Sequence, residues 1–206
     1  MSMINLKKLS FQITSRNLLY AVFIGTIFLM SARPTIDTDL WWHLANGKYI
    51  TTFLSIPSTD LYSYTAIGHT WIVHEWLSDV FMYGIYSKLG MVGLIITASL
   101  ILTFTFYLIN KLLRQAGVGH NISVLLSIAL AIASSFSWGA RPQILNFCLL
   151  AVLCTLLLRY RTQPGKWVFW IVPLFILWAN LHSGYLIGLA ICNCSDTPKA
   201  SSYVTI

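Results

Sequence analysis

Hydrophobic positions along this chain fall in runs rather than in strict alternation. Residues 18–32, 91–113, 122–137 and 142–158 are almost unbroken apolar stretches, and a fifth opens at Trp167. Crossing a bilayer takes about 20 apolar helical residues, so each run predicts a membrane span, with ends that can move by about four residues. From Trp167 to Cys192 the run would make ~39 Å of helix, long for one span. Asn180-Leu181-His182-Ser183-Gly184 interrupts it, which predicts a break near His182 and a sixth span from Tyr185. Pro173 is expected as a tolerated kink in the fifth.

The pattern as a whole predicts an all-α, polytopic transmembrane bundle of about 5–6 spans over residues 1–192. A long polar loop, 33–90, separates the first two spans. Two helices are expected there, lying at the membrane interface. One follows Asp37-Thr38-Asp39, and the other opens at Trp71 and stays apolar through Tyr86. Between them, Asp60 reads as a turn residue and 62–65 as a short extended piece. Residues 193–206 form a polar tail that stops the last apolar run abruptly. The expectation is a truncation or frame change near Cys192, with a polar tail after one long span as the alternative.

Composition agrees with a membrane protein. The chain is 57% hydrophobic and 9% charged, against about 25% charged residues in soluble domains. Its net charge of +7 does not indicate nucleic-acid binding, because the cations sit at span ends. Eight of the thirteen (Lys7, Lys8, Arg16, Lys111, Arg114, Arg159, Arg161 and Lys166) lie in three segments that contain no acid. The positive-inside rule puts those segments, and the N-terminus, in the cytoplasm of a plasma (inner) membrane protein. The first apolar run is longer than a typical signal-peptide core, and Met30 is a poor cleavage residue, so it reads as a signal anchor. The four cysteines have neither zinc-site nor disulfide-framework spacing.

The outer face then collects the candidate chemistry. Five of the six acidic residues lie in the 33–90 loop, with four of eight tryptophans and three of five histidines. On a helix Asp39, His43 and Asn46 share one face. Asp37 or Thr38 can serve as an N-cap and Asp39 can favour the first turn through the helix dipole, but capping needs only one of the two aspartates and leaves the other unexplained. Glu75 and Asp79 are like charges one turn apart, a pairing that a cation, a metal or a shifted pKa accommodates, as does an interfacial helix start. Arg141-Pro142-Gln143 opens the fourth span, where Arg141 either snorkels or binds phosphate. His182 is either an interfacial cap or a ligand.

Asp37-Thr38-Asp39-Leu40-Trp41-Trp42-His43-Leu44 resembles the loop-opening motif of oligosaccharyltransferase catalytic subunits in the GT-C superfamily. Ile56-Pro57-Ser58-Thr59-Asp60, His74-Glu75-Trp76-Leu77, Arg141-Pro142-Gln143 and Trp178-Ala179-Asn180-Leu181-His182 extend the likeness to a group of bacterial multi-span proteins assigned to that superfamily. The resemblance covers roughly residues 18–189. It implies sugar transfer from a polyprenyl-phosphate-linked donor to an acceptor on the outer face, with membrane lipids as surroundings. Asp37 or Asp39 falls where the family keeps its base or acceptor-positioning carboxylate. His43, His74, Glu75, Arg141 and His182 are the substrate- or phosphate-binding candidates. Some relatives use Mg2+ or Mn2+, for which Asp37, Asp39 and Glu75 offer hard oxygen ligands. Superfamily members are much longer, so a missing C-terminal portion or a partner subunit is expected. The alternative class is a non-catalytic multi-pass subunit or a lipid-binding or transport protein. Spans without Asp or Glu count against ion-coupled transport.

Overall fold

A computed structural model describes residues 14–34 and 37–195. Among these the protein is helical, with a single isolated bridge, Thr59 to Thr70, and no strand. The helices are α1 (Ser15–Ser31), α2 (Asp39–Phe53), α3 (Trp76–Gln115), α4 (His120–Ser134), α5 (Gln143–Thr162), α6 (Ile171–Leu181) and α7 (Tyr185–Ser195). Three helical stretches, Trp76–Gln115, His120–Ser137 and Gln143–Thr162, are long and apolar enough to cross a membrane. Ser15–Ser31, Lys166–Leu181 and Tyr185–Cys194 are apolar but shorter.

The local sequence explains most of the ends. Thr14 caps α1 by accepting from the Asn17 N–H at 3.2 Å. Arg159 and Arg161 occupy the last turn of α5, where a helix favours positive charge. Arg159 also stacks 3.5 Å over the Trp167 ring. Pro173 lies in the first turn of α6, where a missing backbone N–H costs least. The expected break at His182 is present: α6 ends at Leu181, and α7 begins at Tyr185. Helix α7 continues through Ser195, past the end of the apolar run, and the rest of the tail lies outside the described residues.

Two expectations for the outer loop are corrected. The second loop helix begins at Trp76 rather than Trp71. It runs on into the second apolar run, with the chain bending at Gly90 (φ 64°, ψ −161°). Side chains avoid that conformation, so glycine fits the bend. Residues 64–68 form turns, not an extended piece. The pairing falls instead on Ser58–Asp60 against His69–Trp71, with the Asp60 N–H donating to the His69 carbonyl at 2.8 Å. Asp60 is a turn residue, its Oδ1 accepting from the Tyr62 and Ser63 N–H groups at 2.8 and 2.9 Å.

The core is built on α3. Phe23 and Ile27 of α1, Leu102 and Phe106 of α3, Val124 and Ala131 of α4, and Trp138 and Ile144 form one buried cluster. Inside it the Asn110 amide donates to the Ser123 and Ser127 hydroxyls at 3.2 and 3.3 Å, a polar clasp between α3 and α4. Helix α2 lies along the N-terminal part of α3, burying Leu40, His43, Leu44, Asn46, Gly47 and Ile50.

Candidate functional site

Five chain segments far apart in sequence meet at one end of the bundle. They are the C-terminal end of α1, helix α2, the start of α3, the start of α5 and the α6–α7 break. Trp76 donates its indole N–H to the Asn180 side-chain oxygen at 2.9 Å, and the Ser78 hydroxyl donates to the Leu181 carbonyl at 2.6 Å. Trp178 is fully buried and donates to the Asn146 side-chain oxygen at 2.9 Å. A Cβ on Gly184 would collide with that same Asn146 side chain, so only glycine admits the approach. These contacts tie the start of α3 to α6, and α6 to α5.

Within this frame the polar residues form two groups. In the first, Asp79 is completely buried beneath α2. His43 Nδ1 lies 2.6 Å from Asp79 Oδ1, and the Asn46 amide donates to the other oxygen. With the carboxylate accepting, the His43 hydrogen is on Nδ1, and Nε2 is left facing Glu75 Oε2 at 3.9 Å. Glu75 also has His74 Nε2 at 3.4 Å and His182 Nε2 at 3.5 Å from its Oε1. Three imidazoles therefore surround one carboxylate. Gly47 makes this possible, since a Cβ there would strike the Asp79 carbonyl and lie 2.7 Å from Tyr83 Cβ.

His182 Nδ1 accepts from the Gly184 N–H at 2.9 Å, which places the ring hydrogen on Nε2, toward Glu75. A second proton would meet the Gly184 N–H head on. Burial pushes the His182 imidazole below its ordinary value. Glu75 pulls it up, while His74 and His43 push it further down.

In the second group Arg141 grips Asp37 with two parallel contacts. Nη2 lies 2.5 Å from Oδ1, and Nε donates to Oδ2. The Asp39 N–H donates to Asp37 Oδ1 as well, at 2.9 Å. Asp37 is buried, and most of its roughly four acceptor positions are filled. Asp39 sits in the first turn of α2 and is exposed, its Oδ1 meeting only the Thr38 hydroxyl, at 3.5 Å. Arg33, which the sequence did not single out, donates from Nη2 to the Ser135 and Trp138 carbonyls.

The site residues expected from sequence are thus distributed unequally. His43, His74, Glu75 and His182 come together, joined by Asp79. Asp37 and Arg141 pair separately, and Asp39 stands at the helix start facing solvent. The expected polar face of α2 divides, with His43 and Asn46 buried and Asp39 exposed. Among the described residues no group of three or more His, Cys, Asp or Glu could hold a metal ion. The donors around Glu75 are imidazoles rather than the oxygens that magnesium or manganese prefer. The oxygens of Asp37 are committed to Arg141. These residues do not fit the Mg2+ or Mn2+ set that the resemblance implied.

Sequence inspection did not assign Asp79 a partner, or Asn46, Gly47 and Asn146 a role. The signal for the first two was present: His43 and Asn46 share a helical face, and a like-charge pair one turn apart asks for such a neighbour. No family model matches the chain, and neither a curated protein nor a solved structure matches it. The class the observations define is an all-helical protein with three membrane-length helices and a polar cluster at one end.

Proposed function

We propose that this chain is a GT-C-like membrane glycosyltransferase, or the N-terminal part of one. It transfers a sugar from a polyprenyl-phosphate-linked donor to an acceptor at the outer face of the membrane. The observation that carries the reading is the meeting of four motifs at one bundle end. Asp37-Thr38-Asp39 and His43, His74-Glu75-Trp76, Arg141-Pro142-Gln143 and Trp178-to-His182 are separated by up to 145 positions and contact one another there. Capping or snorkelling alone gives no reason for that meeting.

In this reading Asp39 is the base or acceptor-positioning carboxylate, because it is exposed. Asp37 holds Arg141, whose remaining N–H groups offset charge on the leaving phosphate. Glu75 and its imidazoles orient the sugar or acceptor hydroxyls through hydrogen bonds. About five or six spans in the plasma membrane, with the N-terminus cytoplasmic, complete the picture, since the acidic end must then face outward.

The test uses membranes carrying the full chain and a radiolabelled polyprenyl-phosphate sugar. Wild type is expected to release labelled sugar from the lipid. Asp39→Asn is expected to lose at least about 100-fold of that rate, the low end of what a general base contributes. Wild-type activity equalled by Asp39→Asn overturns the assignment. No release by wild type favours the non-catalytic, lipid-binding alternative.

A further inference from the structure

A second polar cavity lies at the end of the bundle away from Glu75 and Asp79. The start of α1, the last turns of α3 and the start of α4 meet there, and Lys111 stands ~30 Å of helix beyond the Gly90 bend. Tyr20, Tyr107, Asn110, Lys111, Arg114 and Gln115 enclose about 390 Å3, within the roughly 300–1,000 Å3 of small-molecule sites. The described acidic residues all lie between positions 37 and 79, at or before the first turn of α3. Neither Lys111 nor Arg114 therefore has a carboxylate partner among the described residues.

Two buried polar groups at the same end also lack partners. Asn110 is 1% exposed, and its amide nitrogen donates to the Ser123 and Ser127 hydroxyls. Those hydroxyls spend their own hydrogens on the His120 and Ser123 carbonyls, at 2.8 and 2.7 Å. Toward Asn110 they can only accept, so its amide cannot be turned over. Asn110 Oδ1 is left without a hydrogen-bond partner among the described residues. The His120 ring stands 6.2 Å from that of Tyr20, and both of its nitrogens are buried without a partner too. A cation that only anchors a span end reaches into water and needs no such surroundings. Buried polar groups left unpaired are costly. The acceptor Asn110 Oδ1 asks for a donor, and the two cations ask for an anion.

We propose that this cavity binds a phosphate ester that carries a hydroxyl group, with glycerol phosphate as the simplest case. The phosphate lies between Lys111 and Arg114, with the Tyr20 and Tyr107 hydroxyls as further donors, and the ester's hydroxyl donates to Asn110 Oδ1. Bare inorganic phosphate leaves Asn110 unpaired, and a zwitterionic headgroup brings its own cation against Lys111 and Arg114. The ester has two sources, the headgroup of an acidic phospholipid at this end of the bundle or a soluble metabolite. With the N-terminus cytoplasmic, both reach the site from the cytoplasm. The site takes no part in the proposed sugar transfer and stands whether or not that transfer occurs.

The test is native mass spectrometry of the full chain in detergent, titrated with dioleoyl phosphatidylglycerol and glycerol 3-phosphate. Dioleoyl phosphatidylmethanol, which has the same charge and no hydroxyl, and dioleoyl phosphatidylcholine serve as comparators. Phosphatidylglycerol is expected to bind at least about threefold more tightly than phosphatidylmethanol, the size of one neutral hydrogen bond, and at least about tenfold more tightly than phosphatidylcholine. Arg114→Gln is expected to weaken phosphatidylglycerol about tenfold, the size of one charge-assisted hydrogen bond lost. Lys166→Gln removes an exposed cation beyond the end of α5, outside the cavity, and is expected to change nothing. The comparison of lipids on wild type decides independently of how well either variant folds.

Displacement of phosphatidylglycerol by glycerol 3-phosphate within about a hundredfold excess supports the site with a soluble ester as its ligand. Phosphatidylglycerol that resists that excess supports it with a leaflet lipid as its ligand. Three results overturn the proposal. Neither glycerol phosphate compound binds wild type, phosphatidylmethanol or phosphatidylcholine binds as tightly as phosphatidylglycerol, or Lys166→Gln weakens binding as much as Arg114→Gln does. The last two identify ordinary attraction of span-end cations for the bilayer surface.

Discussion

Asp79→Ala tests the buried end of the cluster most severely. The carboxylate is fully buried and takes hydrogen bonds from both His43 and Asn46. Removing it leaves two buried donors facing an apolar side chain. Each such orphan costs about 1–3 kcal/mol, and breaking a buried polar or ionic pairing by deleting one partner costs roughly 3–5 kcal/mol. The lower part of that range is expected, because His43 can turn its ring toward Glu75. A loss of about 3–4 kcal/mol is a large share of the ~5–15 kcal/mol that holds a typical protein folded. In detergent, thermal unfolding followed by a thiol-reactive dye at Cys148 and Cys154 of α5 should shift down by roughly 10 °C. The pairing itself is isolated by a double-mutant cycle with His43→Ala, for which a coupling of about 1–3 kcal/mol is expected. A shift below about 2 °C, or additive single variants, would refute the claim that Asp79 is the buried anchor of α2.

Gly47→Ala would ordinarily stabilise a helix by about 1 kcal/mol; here the Cβ meets the Asp79 carbonyl, and a net loss of about 1–3 kcal/mol is expected in the same melt. Arg141→Lys keeps the charge but loses the planar fork on Asp37, and should lower stability by about 1–2 kcal/mol; equality with wild type would show that a point charge suffices. The depressed imidazole of His182 makes the folded state bind fewer protons than the unfolded one. Its contribution is therefore present above the unfolded value of about 6.5 and is lost as pH falls below it. Melting temperature should fall between neutral pH and about pH 5, and His182→Gln should flatten that part of the profile.

Much of the helical order was legible in the sequence because apolar runs and their polar breaks are local features. The Asn180–Gly184 interruption and the turn at Asp60 appear as read. The join of the second loop helix to the second apolar run was not, since a glycine at positive φ bends a helix without ending the apolar pattern. The interfacial placement of α2 was read from its tryptophans, yet the helix buries His43, Asn46 and Gly47 against α3. A helix with polar residues on its packed face has no amphipathic signature to read. The site was half legible. Side-chain type marked Glu75, the histidines, Asp37 and Arg141, but pairing is a long-range fact. That Arg141 belongs with Asp37, and Asp79 with His43, depends on how α2, α3 and α5 cross, and local sequence does not encode it. Arg33 escaped notice because a cation at a span end looks like any other anchor.

The most direct test of the account is release of labelled sugar from a polyprenyl-phosphate donor to the acceptors present in membranes carrying wild type, Glu75→Gln, His182→Gln or the double variant. If α3 and the α6–α7 break build one site, each single variant loses most of the rate and the double loses little more. Losses that multiply, or a wild type with no release, would contradict a shared catalytic site at this end of the bundle.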